Sequence, residues 1–408
     1  MPANFLHGVE TIEVTKGTKT IQTVKTAVIG LIGTAPINDV KESYRTINEP
    51  VLITGEEDAA LYFGNHKPGF TIPQALKSIF EQGAGIVIAV NVFDPELHDT
   101  PEDVELADIS GKIDSITGKR TGLKVFENCY SLFGYYPKTI IAPVFSEDKV
   151  IANEINILCK KIRAIGLIDA PVGASVQDVI KGRSLDDSNF NVNSDRIVLC
   201  YPHLKVYDYN SQSIKLEPYS QRLAGVIAAK DIDKGYHFSP SNTNIEGILG
   251  TEKYLTSMIN DPNSEVNLLN EAGIITVFNS FGTGFRTWGN RSSAYPATTL
   301  PINFINVRRT ADILHESVEY AMLDYIDLPI DDALIDTICE TVNQYIRTLI
   351  GRGALIDGKC SFNSDKNPES EIANGHLSFD IEFMPPTPAE RITFESFINT
   401  ELLKALTA

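Results

Sequence analysis

Phosphate chemistry would show itself as Gly-x-x-x-x-Gly-Lys-Ser/Thr, because backbone N–H groups must cradle the phosphates while the hydroxyl binds magnesium. The chain offers Ser110-Gly111-Lys112-Ile113 and Gly118-Lys119-Arg120 without that spacing, and both read as turns. Gly282-Thr283-Gly284 matches part of a dinucleotide loop but lacks the third glycine. A nucleophile elbow, Gly-x-Ser-x-Gly, is absent. Ser220, His203, His237 and Asp231 have the residue types of a hydrolase triad, yet nothing in their spacing marks a nucleophile with its base. Ser220 reads instead as the N-cap of a helix presenting Leu223, Val226 and Ile227. His315, Glu316 and Glu319 come nearest to His-Glu-x-x-His and read as a solvated helix face. The 186–195 loop lacks the glycine and terminal glutamate of a calcium hand. The sequence thus points to no catalytic residue, no cofactor and no metal ligand set.

The elements that would have to position such residues are plentiful. The chain has 408 residues, enough for two or three domains, and 43% of them are hydrophobic, ample for a packed core. Lys and Arg number 35 against 53 Asp and Glu, a net charge of −18 that disfavours nucleic acid and anionic membrane surfaces as partners. No apolar run is long enough to span a bilayer, and the start MPANFLHGVE is not a secretory signal. Five widely spaced cysteines without a CxxC pattern suggest reduced thiols in a cytosolic setting.

From residue 27 the pattern is α/β. Thr26–Ile32 and Ile86–Val92 are continuous apolar runs, as expected of strands buried on both faces; Thr139–Ala142, Leu167–Ile168 and Arg196–Tyr201 are further strands. Ile72, Ala75, Leu76, Ile79 and Phe80 recur at helical spacing between Pro73 and Gly83. Ile151, Ile155, Leu158, Ile162 and Ile165 form another stripe, which Gly166 should close, and Ser175 with Asp178 looks like a capping pair. Alternation of this kind predicts a mostly parallel sheet covered on both faces. Residues 94–120 read as a small surface insertion; 183–195 and 205–216 read as polar loop or hairpin.

The last third predicts a helix begun by Thr310, a second over 332–350, and strands at His376–Met384 and Arg391–Asn399 separated by Pro385-Pro386-Thr387-Pro388. Trp288 could fill core or pack an interdomain junction. The organisation is therefore an arm at 1–26, an α/β core at 27–285 with the insertion at about 94–120, and a C-terminal α+β domain at 286–408 whose own arm begins near 389. The β-forming segment Val9–Thr15 has no obvious partner nearby, so it is either a loose terminus or an arm that pairs with another chain.

Read in order, several segments resemble the tail sheath proteins of contractile-tailed bacteriophages and of phage-tail-like bacteriocins. They are His7–Glu10, Thr26–Pro36, Pro73–Val92, Thr117–Gly122 with Pro137–Pro143, Arg196–His203, Tyr219–Ala229, Gly235–Gly247, Leu269–Thr276, Thr287–Arg291, Phe304–Thr310 and Phe383–Ile392. The loop at 183–195 matches no family feature. The resemblance implies a core of subtilisin-like topology without a protease site. It implies subunits stacked as hexameric rings around an inner tube, on a baseplate and below a terminator protein. Such an array assembles in the host bacterial cytoplasm, belongs to a virion or tail-like particle, and contracts without nucleotide hydrolysis to drive the tube through a target envelope. Neighbours in such an array are joined by terminal arms. On this chain the arm strands would carry Val9, Thr11, Ile12 and Val14 at one end and Arg391, Ile392, Phe394 and Phe397 at the other. Tube contact in the family comes from a charged helix of the C-terminal domain, and here the acidic Asp312, Glu316 and Glu319 are the candidates. The alternatives are an α/β hydrolase using the core, or a non-contractile scaffold of the same fold.

Overall fold

The computed structural model describes residues 21–209, 211–280 and 282–406. Its centre is one eight-stranded sheet. In chain order the strands of the molecule are β1 (Val28–Gly33), β2 (Pro50–Ile53), β3 (Ile86–Asn91), β4 (Thr139–Ile141), β5 (Ile165–Asp169), β6 (Ile197–Cys200), β7 (Leu204–Asp208), β8 (Ser213–Glu217), β9 (Gly250–Thr251), β10 (Ile274–Ser280), β11 (Gly284–Trp288), β12 (Asp357–Phe362) and β13 (Phe379–Met384). The main sheet runs β11-β10-β6-β5-β4-β1-β3-β2. Its inner strands are parallel, and β2 and β11 add antiparallel edges. Helices cover both faces of such a sheet, so its strands must be apolar throughout; every residue of β1 and of β5 is buried. Because β11 ends at Trp288, the sheet runs past residue 285.

The helices are α1 (Glu56–Phe63), α2 (Ile72–Phe80), α3 (Leu106–Ser110), α4 (Cys129–Phe133), α5 (Lys149–Ile162), α6 (Val176–Gly182), α7 (Tyr219–Asp233), α8 (Glu265–Glu271), α9 (Ile305–Met322), α10 (Asp332–Gly351) and α11 (Glu369–Ala373). In α2 the predicted stripe is the buried one: Ile72, Ala75, Leu76 and Ile79 face the core. The predicted capping pair of α6 is also real, since the Ser175 side chain accepts from the Asp178 N–H at 3.2 Å while Asp178 accepts from the Ser175 N–H at 3.1 Å.

Several boundaries differ from the sequence reading. Helix α5 stops at Ile162 because Arg163 takes a left-handed φ of 54°, and Ile165 and Gly166 belong to β5 rather than to the helical stripe. At Gly166 a side chain would meet Ile155 of α5 at 2.3 Å, so that glycine serves helix-on-sheet packing, not helix closure. Ser220 is not a cap: α7 begins at Tyr219, with Pro218 before it. Helix α9 starts at Ile305 rather than Thr310, because its entry is held by a backbone bond from Ile305 to the Asn290 carbonyl that no local cap residue announces. Residues 391–399 form no strand in this chain.

The insertion carries α3, closed by Gly111 with a φ of 71°, and an antiparallel bridge between Ile113 and Arg120 around a turn at 115–117, so the Gly-Lys fragments flank that turn rather than form it. The 183–195 loop is built around Arg183, whose guanidinium donates to the carbonyls of Phe190, Val192, Ala272, Ser293 and Tyr295. Trp288 stacks on Phe278 of the neighbouring strand, with ring centroids 4.6 Å apart. A second apolar cluster lies outside the main core: Leu314 and Val318 of α9, Val342, Tyr345, Ile346 and Leu349 of α10, and Cys360 of β12. Ile21 joins it from the other end of the described chain.

Helices α2 and α7 pack closely at Gly225, where a Cβ would stand 2.8 Å from the Ile79 carbonyl oxygen. Gly225→Ala should therefore cost about 1–3 kcal/mol, seen as a lower denaturant midpoint of the unassembled chain. Gly351→Ala, at the end of α10 with nothing within 4 Å, should leave the midpoint unchanged or raise it.

Candidate functional site

The residues that resemble a hydrolase triad do not converge. Asp169 ends β5, fully enclosed, and takes both the N–H and the hydroxyl of Ser220, at 2.8 and 2.5 Å. Ser146 donates to the same carboxylate at 3.3 Å. Burial raises the Asp169 pKa, against the opposing pull of His203 and the Ser220 bonds. The Ser220 hydroxyl is thus a donor to an acid, sealed from solvent, and not a nucleophile waiting on a base. His203 turns its ring to Glu147 at 3.2 Å and Glu252 at 3.9 Å. Burial works against its charge, but the Glu147 bond and the fields of Asp169, Glu147 and Glu252 raise its pKa overall. Asp231 pairs with Arg309. A groove of about 350 Å³ beside the β7–β8 hairpin is lined by His66, Lys77, Tyr207 and Lys215, among others, and not by Ser220 or His203.

The acidic residues of α9 are also not where a docking face would need them. Asp312 takes a two-pronged bond from Arg196, at 2.5 and 2.7 Å, and a third from Arg308 at 2.7 Å. Glu316 pairs with Lys138 at the start of β4. Both acids are at least 96% buried. Arg308 reaches Asp195 at 3.0 Å, and Glu319, half exposed, takes Arg163 at 2.7 and 2.5 Å. The expectation of a tube-facing or solvated stripe therefore fails for Asp312 and Glu316. Their charges face the α/β body, which supplies Arg196 to Asp312 and Lys138 to Glu316, while Arg308 of α9 itself is shared between Asp312 and Asp195. Burial lowers the Lys138 pKa, and Glu316 opposes that shift. His315, Glu316 and Glu319 point to different partners; His315 meets the Phe383 ring edge-on at 5.6 Å. No group of three or more potential metal ligands occurs among the described residues.

What remains as an interaction site lies at the termini. Residues 21–26 run across the second apolar cluster: Ile21 is buried in it, the Val24 N–H donates to Ser317 at 3.3 Å, and Thr23 meets the Tyr345 hydroxyl at 3.2 Å. Beyond Glu390 the chain carries Ile392, Phe394, Phe397 and Ile398 with 70, 90, 85 and 97% of their surface exposed. Arg391 is exposed as well. These residues form no strand, and no described strand of the chain pairs with them. Val9, Thr11, Ile12 and Val14 lie outside the described residues.

With this geometry in view, comparison with known proteins is decisive. Residues 118–293 match the phage tail sheath protein central domain and residues 298–399 the phage tail sheath C-terminal domain. The chain belongs to the phage tail sheath family. It is 39% identical to the tail sheath protein of Burkholderia phage BcepMu, over 100% of this chain and 99% of the relative. Identity to the tail sheath protein of Escherichia phage P2 is 28%, over 99% and 98%. Among solved structures, the contracted helical sheath of the anti-feeding prophage covers 97% of this chain and 100% of its own, with TM-score 0.71 and 16% identity. The contracted sheath complex of the PVC extracellular contractile injection system covers 98% and 99%, with TM-score 0.68 and 16% identity. These likenesses share the large, mostly parallel sheet and mixed α/β content. No described helix is long and apolar enough to cross a membrane.

Two predictions follow from the buried charges. Glu316→Gln should strand the Lys138 ammonium and cost about 3–5 kcal/mol, whereas Lys138→Met with Glu316→Leu should recover most of it in the same denaturation assay. For His203, a raised folded-state pKa means its stabilisation is complete below its unfolded value of about 6.5 and is lost as pH rises through the folded value. The stability gap between the parent and His203→Gln should therefore narrow on going from pH 6 to alkaline pH.

Proposed function

We infer that the chain is the repeating structural subunit of a contractile tail sheath. It stacks as hexameric rings around an inner tube, on a baseplate and below a terminator, and shortens to drive the tube through a target cell envelope. The observation that carries this reading is the segment Ile392–Ile398, whose Ile392, Phe394, Phe397 and Ile398 stand exposed and which pairs with no described strand. A strand that lacks a ladder gains one by pairing with another chain. A contact of that head-to-tail kind gives a ring where its rotation closes and a helical array where it does not. The similarity to sheath structures recorded in a contracted state and to the anti-feeding prophage baseplate supports self-assembly and baseplate contact.

In this reading Arg391, Ile392, Phe394 and Phe397 form one linking strand, and Val9, Thr11, Ile12 and Val14 the other. Residues 21–26 lie against the α10–β12 unit, so the N-terminal arm would depart from there, whereas the C-terminal arm would depart beside Arg291 and the start of α9. The core, from 27 to the end of β11 at Trp288 and subtilisin-like in topology, moves as a rigid body, and the remainder to 408 is the domain through which neighbours are linked. Tube contact moves from Asp312 and Glu316 to the solvent face of α10, where Asp336, Glu340 and Arg347 are exposed; Glu319 stays engaged with Arg163. Assembly takes place in the host bacterial cytoplasm and the mature sheath is part of a virion or tail-like particle. No catalytic step and no cofactor is assigned to the chain.

Purified alone and viewed by negative-stain electron microscopy, the intact chain should form hollow, ridged tubes. Deleting 1–15 should leave the circular dichroism spectrum and melting intact while tubes fail to form or break on contraction. Uniform small particles of the intact chain at all concentrations, or normal tubes from the deletion, would overturn the respective part of this reading.

A further inference from the structure

After β13 the chain is stiff and then captured. Pro385, Pro386 and Pro388 fix their own φ angles and remove three N–H donors, and Asn306 donates its side-chain amide to the Pro386 carbonyl at 3.0 Å. Four residues on, Glu390 is gripped by Arg291: Nε donates to the two carboxylate oxygens at 2.8 and 3.1 Å, and a second guanidinium nitrogen bonds one of them. The guanidinium itself sits over two rings, 4.3 Å from the Tyr295 centroid and 4.4 Å from that of Phe304. A backbone bridge between Arg291 and Phe304 holds the aromatic wall in register. Most surface ion pairs are loose because two long side chains must be ordered. Here the arginine is already ordered by its rings, so a two-pronged bond to Glu390 costs little further entropy. The next residue, Arg391, is exposed and the apolar run follows at once.

We propose that Arg291, held between Tyr295 and Phe304, is the positioning residue that roots the C-terminal segment: it captures Glu390, fixes where the segment leaves the body, and passes tension on the segment into the core. The part about tension rests on the reading that 391–406 joins a neighbouring subunit. Without the pair, the root retreats to Pro386 and four residues of slack enter the linkage, about 14 Å of extended chain. That much slack uncouples one subunit's rotation from the next.

Trypsin reads the root directly, because one of its target bonds follows Arg391, and cleavage of a held segment tracks its local release. In the full-length, unassembled chain at 50 mM salt, Glu390→Gln and Arg291→Gln should speed appearance of the peptide starting at Ile392 at least tenfold. Arg291→Lys, which keeps the charge but not the fork, should fall between. Salt at 0.5 M should speed cleavage of the parent but not of Glu390→Gln, a response that a purely packing role would not give. Equal cleavage rates in parent and variants, with unchanged melting, would overturn the root. In assembled tubes, Glu390→Gln should shorten mean length after shear; unchanged length would overturn the transmission of tension. If removing residues 391–406 leaves polymerisation intact, the arm reading fails, while the trypsin result still decides the root.

Discussion

The structure depends on a set of charges that have no water to fall back on. Along one face of α9, Arg308, Arg309, Asp312 and Glu316 meet Asp195 and Arg196 before β6, Asp231 of α7 and Lys138 before β4, three separate parts of the α/β body. Each ion, once buried, is tolerable only with its partner, so removing one is far worse than never having had either. The opposite face of α9 is ordinary: Leu314 and Val318 pack with α10 and β12. One helix therefore binds the sheet by electrostatic complementarity and the smaller cluster by apolar contact. Complementary charges fix register and angle more strictly than apolar surfaces, which slide at little cost. The two apolar bodies are thereby set in a single relative orientation.

The same division of labour explains where change can occur. The core and α9 are tied by many buried groups and open only with the whole unit. Residues 391–398 are exposed and sit on the low-stability end of the molecule. In the array proposed above, motion would be concentrated in the links while the bodies rotate without being remade.

How much of this was legible in the sequence varied with the range of the interaction. The stripe Ile72–Ile79 and the Ser175–Asp178 cap are local patterns, and both were readable because every group involved lies within a few residues. The parallel strands were readable because β1 and β5 are apolar on both faces. Asp312 and Glu316 were misread as a solvent face, since their partners Arg196 and Lys138 are 116 and 178 residues distant. The start of α9 was missed for the same reason: its cap is a backbone carbonyl at Asn290. Ser220 looked like a cap on local grounds, and only the fold brings Asp169 to its hydroxyl. The resemblance to sheath proteins came from the order of many short segments, none diagnostic alone, whereas the Arg291–Glu390 pair gave no local signal in either segment.

The path of residues 21–26 sets the order in which the protein can be made. Val24 and Thr23 bond groups 293 and 322 positions later, and Ile21 is buried by helices not yet translated when it leaves the ribosome. Closing so long a loop is slow and must follow synthesis of α10. A nascent chain therefore carries residues 21–26 undocked until nearly all of it has emerged, so the seat of that end is completed last.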